Sequence, residues 1–227
     1  MTRLARKDLS LALALAAATA AAGCGKGDGK DGKEGAKAGG AAAGGELPAD
    51  HVAAVNAAVP ADLKGKLEFE AGRVDQGRKS ERGYKAAVPK GWKAGGVIPG
   101  TLRPADADDF GASKTLGKSL MRIGSNCDGE CVKKDWPAIA NKVLFSQFTM
   151  GKVEGKVLKD DKRPNGRTLV FEAKPSSFPE QDVAVYVHTS WWEPDATEYH
   201  TCSVELGAPL KGAVDAFEKA CSKVIKE

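Results

Sequence analysis

The sequence predicts an α+β fold: an antiparallel sheet of about five to seven strands with helices packed on it, stapled by disulfides. Three features carry this expectation. The stretch "DVAVYVHTSWWEPDATEYHTCSVELG" (182–207) holds two alternating apolar–polar runs on either side of a turn. The final segment "LKGAVDAFEKACSKVIKE" sets Leu210, Val214, Phe217, Cys221 and Val224 on one helical stripe. Pairing Glu193 with Glu198 leaves Pro194–Thr197 as a four-residue turn and puts Val185, Val187, Thr189 and Trp191 on one face with His200, Cys202, Val204 and Leu206. A one-residue slip would oppose valines to Glu and Ser, so the apolar pattern selects this register. Cys202 then lies on the inward face of a strand and Cys221 on the inward stripe of the helix. Their bridge would stabilise the fold by roughly 3 kcal/mol.

The earlier elements follow in order. "PADHVAAVNAAV" reads as a short helix capped by Asp50 and ended by Pro60, within a helical lead-in over 46–65. The α+β domain occupies 66–227. Its first strand is "KLEFEAGRV", and "GYKAAVPKGWKAGGV" reads as a strand, a Pro-Gly corner anchored by Trp92, and a second strand start. Residues 99–113 read as a polar loop and "LGKSLMRIG" as a strand. "KKDWPAIANKVLFSQF" is expected to be helical, with Asp135 as N-cap and Pro137 in the first turn. "KVEGKVLKD" and "TLVFEAK" form a hairpin about "DKRPNGR".

The first 45 residues cannot contribute to a core. Arg3, Arg6 and Lys7 precede "LSLALALAAATAAA", a basic start and an apolar run of the kind that directs export, too short for a comfortable membrane span. The run ends in "AAGC", which resembles the lipobox of bacterial lipoproteins, with Ala21, Ala22 and Gly23 before Cys24. The resemblance implies cleavage after residue 23 and lipid, palmitate included, on Cys24. The alternative is ordinary signal cleavage after Ala22, since small residues satisfy that rule too. Cysteine arithmetic bears on the choice. The chain has five cysteines, and if Cys127 pairs with Cys131 and Cys202 with Cys221, the odd one is Cys24. Residues 25–45, "GKGDGKDGKEGAKAGGAAAGG", have no bulky apolar group and read as a disordered tether whose ends lie ~25 Å apart. Gly25 rather than aspartate after the cysteine implies, by the same resemblance, the outer membrane, facing the periplasm or the cell surface.

"YKAAVPKGW", the run of hairpins and the terminal "FEKACSKVI" together resemble the PsbP-like superfamily over roughly 66–227. That resemblance implies a small α/β/α domain of a group that includes many bacterial lipoproteins, mostly binding or assembly factors. It assigns no functional residue here.

Local motifs argue mainly by what they lack. A net charge of +4 with 28% charged residues, evenly interspersed, does not fit a nucleic-acid partner. "ASKTLGKS" (112–119) has phosphate-loop spacing, yet no strand precedes it and Gly124 leaves little room for a helix after it, so no nucleotide is expected. "DADDFG" echoes a calcium loop but has Phe110 at a ligand position and no glutamate at the twelfth. "CDGEC" spaces its thiols by three residues, which reads as a structural bridge, with a labile redox pair as the alternative. Three scattered histidines make no catalytic or metal constellation, so no catalytic residue, metal or cofactor is expected.

One surface stands out. The chosen register sets Trp192 opposite Tyr199, with Tyr186 and His188 further along the same outer face. Exposed, these four would form a recognition patch for an envelope protein, peptide or glycan; alternatively a loop such as 99–113 covers them. The expected role is a lipid-anchored envelope protein whose domain binds or scaffolds another component. The alternatives are an envelope enzyme, perhaps hydrolytic, with His188 as base, and a redox sensor through Cys127 and Cys131.

Overall fold

A seven-stranded antiparallel sheet carries the C-terminal helix on one face, and a smaller sheet packs against the same helix. The computed structural model describes residues 45–76, 83–95, 98–109, 111–126, 155–173, 183–193 and 198–227, all within the unit Ala41–Glu227. The expected helix over 133–148, the pair Cys127–Cys131, the turn at 194–197, and the leader with Cys24 and the tether lie outside the described residues.

Helix α1 (Ala49–Ala57) is followed by a short 3-10 turn (Ala61–Leu63) and strand β1 (Phe69–Asp75). Pro48, not Asp50, is the N-cap; Asp50 sits in the first turn, where a carboxylate suits the helix dipole. Val55, Val59 and Leu63 enter the same core as the strands. Asn56 fastens the helix to β1: its side-chain amide donates to the Phe69 carbonyl at 2.9 Å and its oxygen accepts the Phe69 amide at 2.7 Å. Strand β2 (Gly83–Pro89) pairs with β1, and a two-residue β12 (Ile225–Lys226) closes its other edge.

The large sheet runs in the order β3-β4-β7-β11-β10-β9-β8. Its members are β3 (Lys93–Ala94), β4 (Thr101–Arg103), β7 (Leu120–Asn126), β8 (Gly155–Arg163), β9 (Gly166–Ala173), β10 (Ala184–Trp191) and β11 (Tyr199–Leu206). Strands β5 (Ala112–Ser113) and β6 (Gly117–Lys118) form a separate small hairpin. The stretch 99–113 is therefore not all loop, because β4 joins the sheet beside β7. Gly100 permits that approach: its φ is +75°, and a Cβ there would lie 2.2 Å from the Ile123 carbonyl oxygen.

The β10–β11 register is the one the apolar pattern selects, with Val185 opposite Leu206, Val187 opposite Val204, and Thr189 opposite Cys202. Met121, Ile123, Val170, Val185, Val187, Val204 and Leu206 face the helix layer as one core. The C-terminal segment departs from a single helix. Ala208–Ala213 is 3-10, started by Pro209; α2 spans Val214–Ser222; and the last residues extend into β12. Leu210, Phe217 and Cys221 are nonetheless buried, and Val214 and Val224 pack partly buried against them. Phe217 meets the Phe69 ring edge-on at 5.1 Å and the half-buried Trp92 ring at 5.9 Å.

Cys202 and Cys221 are disulfide-bonded, their Cα atoms 5.4 Å apart across 19 positions of sequence. The link joins the middle of β11 to α2. Replacing both residues by alanine is expected to lower the unfolding free energy by ~3 kcal/mol. Urea denaturation at neutral pH measures this, and a loss below ~1 kcal/mol would mean that the apolar contacts alone hold the helix.

Candidate functional site

The second face of the large sheet, away from α2, is built by the alternate residues of the same strands. Tyr186, His188 and Ser190 of β10 stand beside Tyr199, Thr201, Ser203 and Glu205 of β11, with Leu169 and Phe171 of β9 on one flank and Arg122 of β7 on the other. The four residues expected to form a recognition patch lie on this face, together as the register requires, but they are buried. Tyr186 and Tyr199 are 0% exposed, His188 3% and Trp192 8%. An exposed aromatic patch is thus not what the fold presents.

This face is partly a second apolar cluster, of Leu169, Phe171, Ala173, Ala184 and Tyr186, with the Phe171 and Tyr186 rings stacked 4.9 Å apart. Its polar members bond across strands. The His188 Nδ1 lies 2.7 Å from the Ser203 Oγ. The Tyr186 hydroxyl donates to Glu205 Oε1 at 3.4 Å, and Lys118 Nζ reaches the same oxygen at 3.4 Å. Burial raises the Glu205 carboxyl above its ordinary range while Lys118 opposes the shift. Burial, aided by the Arg167 and Arg122 guanidinium groups, holds His188 down to about 3. The hydrolytic reading needs His188 as an accessible base in a cleft. A buried, neutral imidazole flanked by cations is instead a structural hydrogen-bonding group.

The other motifs resolve in the same way. Lys118, at the phosphate-loop spacing, sits on the β5–β6 hairpin and turns to Glu205. Of the aspartates in "DADDFG", Asp106 accepts the Ser113 and Thr115 hydroxyls at 2.7 and 3.0 Å, Asp108 accepts the Ala112 amide at 2.9 Å, and Asp109 pairs with Arg103 at 2.9 Å. Asp106 and Asp108 are committed to the neighbouring β5–β6 hairpin, and Asp109 to Arg103 of β4. No group of three or more His, Cys, Asp or Glu side chains suited to a metal occurs among the described residues. A recess of about 450 Å³ beyond α1 is lined by Lys64, Lys66, Lys90, Glu68 and Asn56, but Glu68 already pairs with Lys90 at 3.1 Å.

A second polar cluster, not anticipated from sequence, lies where the two sheets meet. The Tyr84 Oη of β2 is 2.9 Å from the His200 Nδ1 of β11, and the Trp191 ring lies 5.6 Å from the His200 ring. Lys226 of β12 donates to Glu198 at 2.6 Å. The inward placement of His200 was legible in the alternation; its tyrosine partner, 116 positions away, was not.

No family model and no curated protein matches this sequence. Solved structures that resemble it at low scores include the following two. One is the Ran-binding protein Mog1p of Saccharomyces cerevisiae, at a TM-score of 0.43 and 11% identity, covering 69% of this chain and 95% of that one. The other is a single-site mutant of protein Mog1, at 0.42 and 10%, covering 68% and 95%.

The His188 environment makes a pH prediction. Unfolded, the imidazole binds a proton near pH 6.5; folded, only near 3. Between those values the unfolded state holds more protons, so stability falls as pH drops, by up to ~1.4 kcal/mol per pH unit. Glu205 acts in the opposite direction, so comparison with His188→Asn isolates the imidazole. Urea midpoints measured from pH 7 to 4 should fall less steeply in the variant. Parallel curves would refute the assignment.

Proposed function

We propose that this chain is a lipid-anchored protein of the bacterial envelope whose α+β domain binds or holds another envelope component. The observation that carries the reading is the order of segments at the N-terminus: a basic start, an apolar run, Cys24, and a glycine-rich tether leading to a folded domain. The buried Cys202–Cys221 bond supports it, since structural disulfides belong to oxidising compartments such as the periplasm. The bond also removes two of the five thiols from the count, which favours a separate fate for Cys24. The likeness of "YKAAVPKGW" and "FEKACSKVI" to the PsbP-like superfamily supports a binding rather than a catalytic role.

With the aromatic quartet buried, contact with a partner falls to other residues. Ile98, Val157 and Leu158 are the large apolar side chains that stand exposed among the described residues. Val157 and Leu158 are adjacent on β8, at an irregularity in its pairing with β9.

Mass analysis of the native protein's N-terminal peptide tests the anchor. Acyl chains on Cys24 and membrane fractionation that Cys24→Ala abolishes are the expected results; an unmodified N-terminus beginning at Gly23 would remove the anchor. Photo-crosslinking from position 158 in intact envelopes tests the binding role, which predicts a discrete adduct with one envelope component. Its absence from positions 98, 157 and 158 alike would end that role.

A further inference from the structure

The seam between the two sheets is apolar at one end, where Phe69, Phe217 and Trp92 meet, and polar at the other, where His200 sits. His200 is 4% exposed and packed from every described side. Tyr84 of β2 bonds its Nδ1; Trp191 of β10 tilts against its ring; Ser125 of β7 is its cross-strand neighbour. The charged groups that act on it are Lys226 of β12, Glu198 just before β11, and Glu193 just after β10. Lys226 is also the cross-strand neighbour of Tyr84, and its ammonium is held by Glu198 at 2.6 Å.

β12 is only two residues long, and Ile225 is its one side chain packed, partly buried, against the core. Two polar clasps hold it in place. Lys226–Glu198 is one. The other is Glu227, whose amide donates to the Gly83 carbonyl at 2.9 Å and whose carboxylate meets Arg73 at 2.5 Å and Lys85 at 3.3 Å. Arg73 and Lys85 hold the Glu227 carboxyl below the usual range, so this second clasp does not titrate between pH 7 and 5. The first clasp adjoins a histidine.

We propose that His200 is a proton-sensitive latch for the terminal strand, and that its protonation loosens β12 from the seam between the sheets. With its proton on Nε2, neutral His200 accepts a hydrogen bond from the Tyr84 hydroxyl at Nδ1. A proton added at that nitrogen turns it into a donor, so the Tyr84 bond must reverse. The new positive charge also competes with Lys226 for Glu198. Two cations then share one carboxylate in a half-buried site, and the mobile partner is Lys226 on its short strand. Linkage gives the sign independently. Burial first, and then the charge of docked Lys226, lower the His200 affinity for a proton, with Glu198 and Glu193 opposing. Whatever docked Lys226 costs the imidazolium, the imidazolium costs docked Lys226. Acid therefore favours the open strand, below the ordinary histidine range, and opening uncovers the β2 edge at Tyr84 and Lys85.

Hydrogen exchange of the Glu227 amide, whose bond to the Gly83 carbonyl holds β12 on β2, in the full chain at pH 7 and pH 5, corrected for intrinsic rates, tests the latch. Protection there should fall about tenfold on acidification while β10 and β11 amides change less. The fall should vanish in His200→Gln and persist in His188→Asn. An equal fall in His200→Gln, or none in the wild type, would overturn the proposal. If His200→Gln does not fold, Lys226→Met gives a second reading: the His200 titration followed by NMR should move upward. An unmoved titration would overturn the proposal equally.

Discussion

Helix α2 is the element against which everything else is placed, and its attachment at Cys221 and Phe217 is the constraint that makes one body of two sheets. Phe217 touches Phe69 of the small sheet and Trp92 at the corner leading into the large one. A fully buried phenylalanine contributes ~1.5–3 kcal/mol. That is comparable to the disulfide, but the two act differently. The side chain stabilises the packed state, whereas the Cys202–Cys221 bond chiefly restricts the unfolded chain. Together they pin the helix at its middle and near its C-terminal end, on the face of β11 that also carries Val204 and Leu206. The short approach from β11 into the helix leaves room only for the tight 3-10 turn that Pro209 begins.

What was legible in sequence, and what was not, follows from how far each signal reaches. The β10–β11 register and the Cys202–Cys221 pair rest on two strongly periodic segments close together in the chain, and local pattern sufficed for both. Strands β3 to β6 are two or three residues long, below the span at which any alternation can be read. The terminal segment keeps its apolar stripe through a 3-10 turn, a helix and a strand, so the stripe alone suggested one unbroken helix. Glu193 and Glu198 gave no hint that the latter clasps Lys226, since that contact joins residues 28 apart through β12.

The second face of the large sheet is the instructive miss. Thr201, Ser203 and Glu205 alternate with apolar residues, the usual mark of a strand with one wet face. Yet Ser203 is 1% exposed and Glu205 3%. The residues themselves carried a weaker signal: the polar positions are mostly small hydroxyls, interleaved with Tyr186, Tyr199 and Trp192, all large rings suited to burial. Small hydroxyl groups can be satisfied inside a protein at modest cost, as the Ser203–His188 bond shows. Alternation therefore reported which residues share a face, and not whether that face meets water.

The same distinction separates the two histidines. Each is buried, and each is neutral because burial and neighbouring cations oppose its charge. His188 lies in the interior of the seven-stranded sheet, between Leu169 of β9 and Ser203 of β11. Nothing small and marginal depends on it, so protonation there weighs on the whole fold. His200 lies at the polar end of a seam whose cover is a two-residue strand. Charge placed there has a cheaper way to be relieved than global unfolding: local release of β12. Which histidine acts as a local device is thus decided less by its own pKa than by the stability of the element that must move when it titrates.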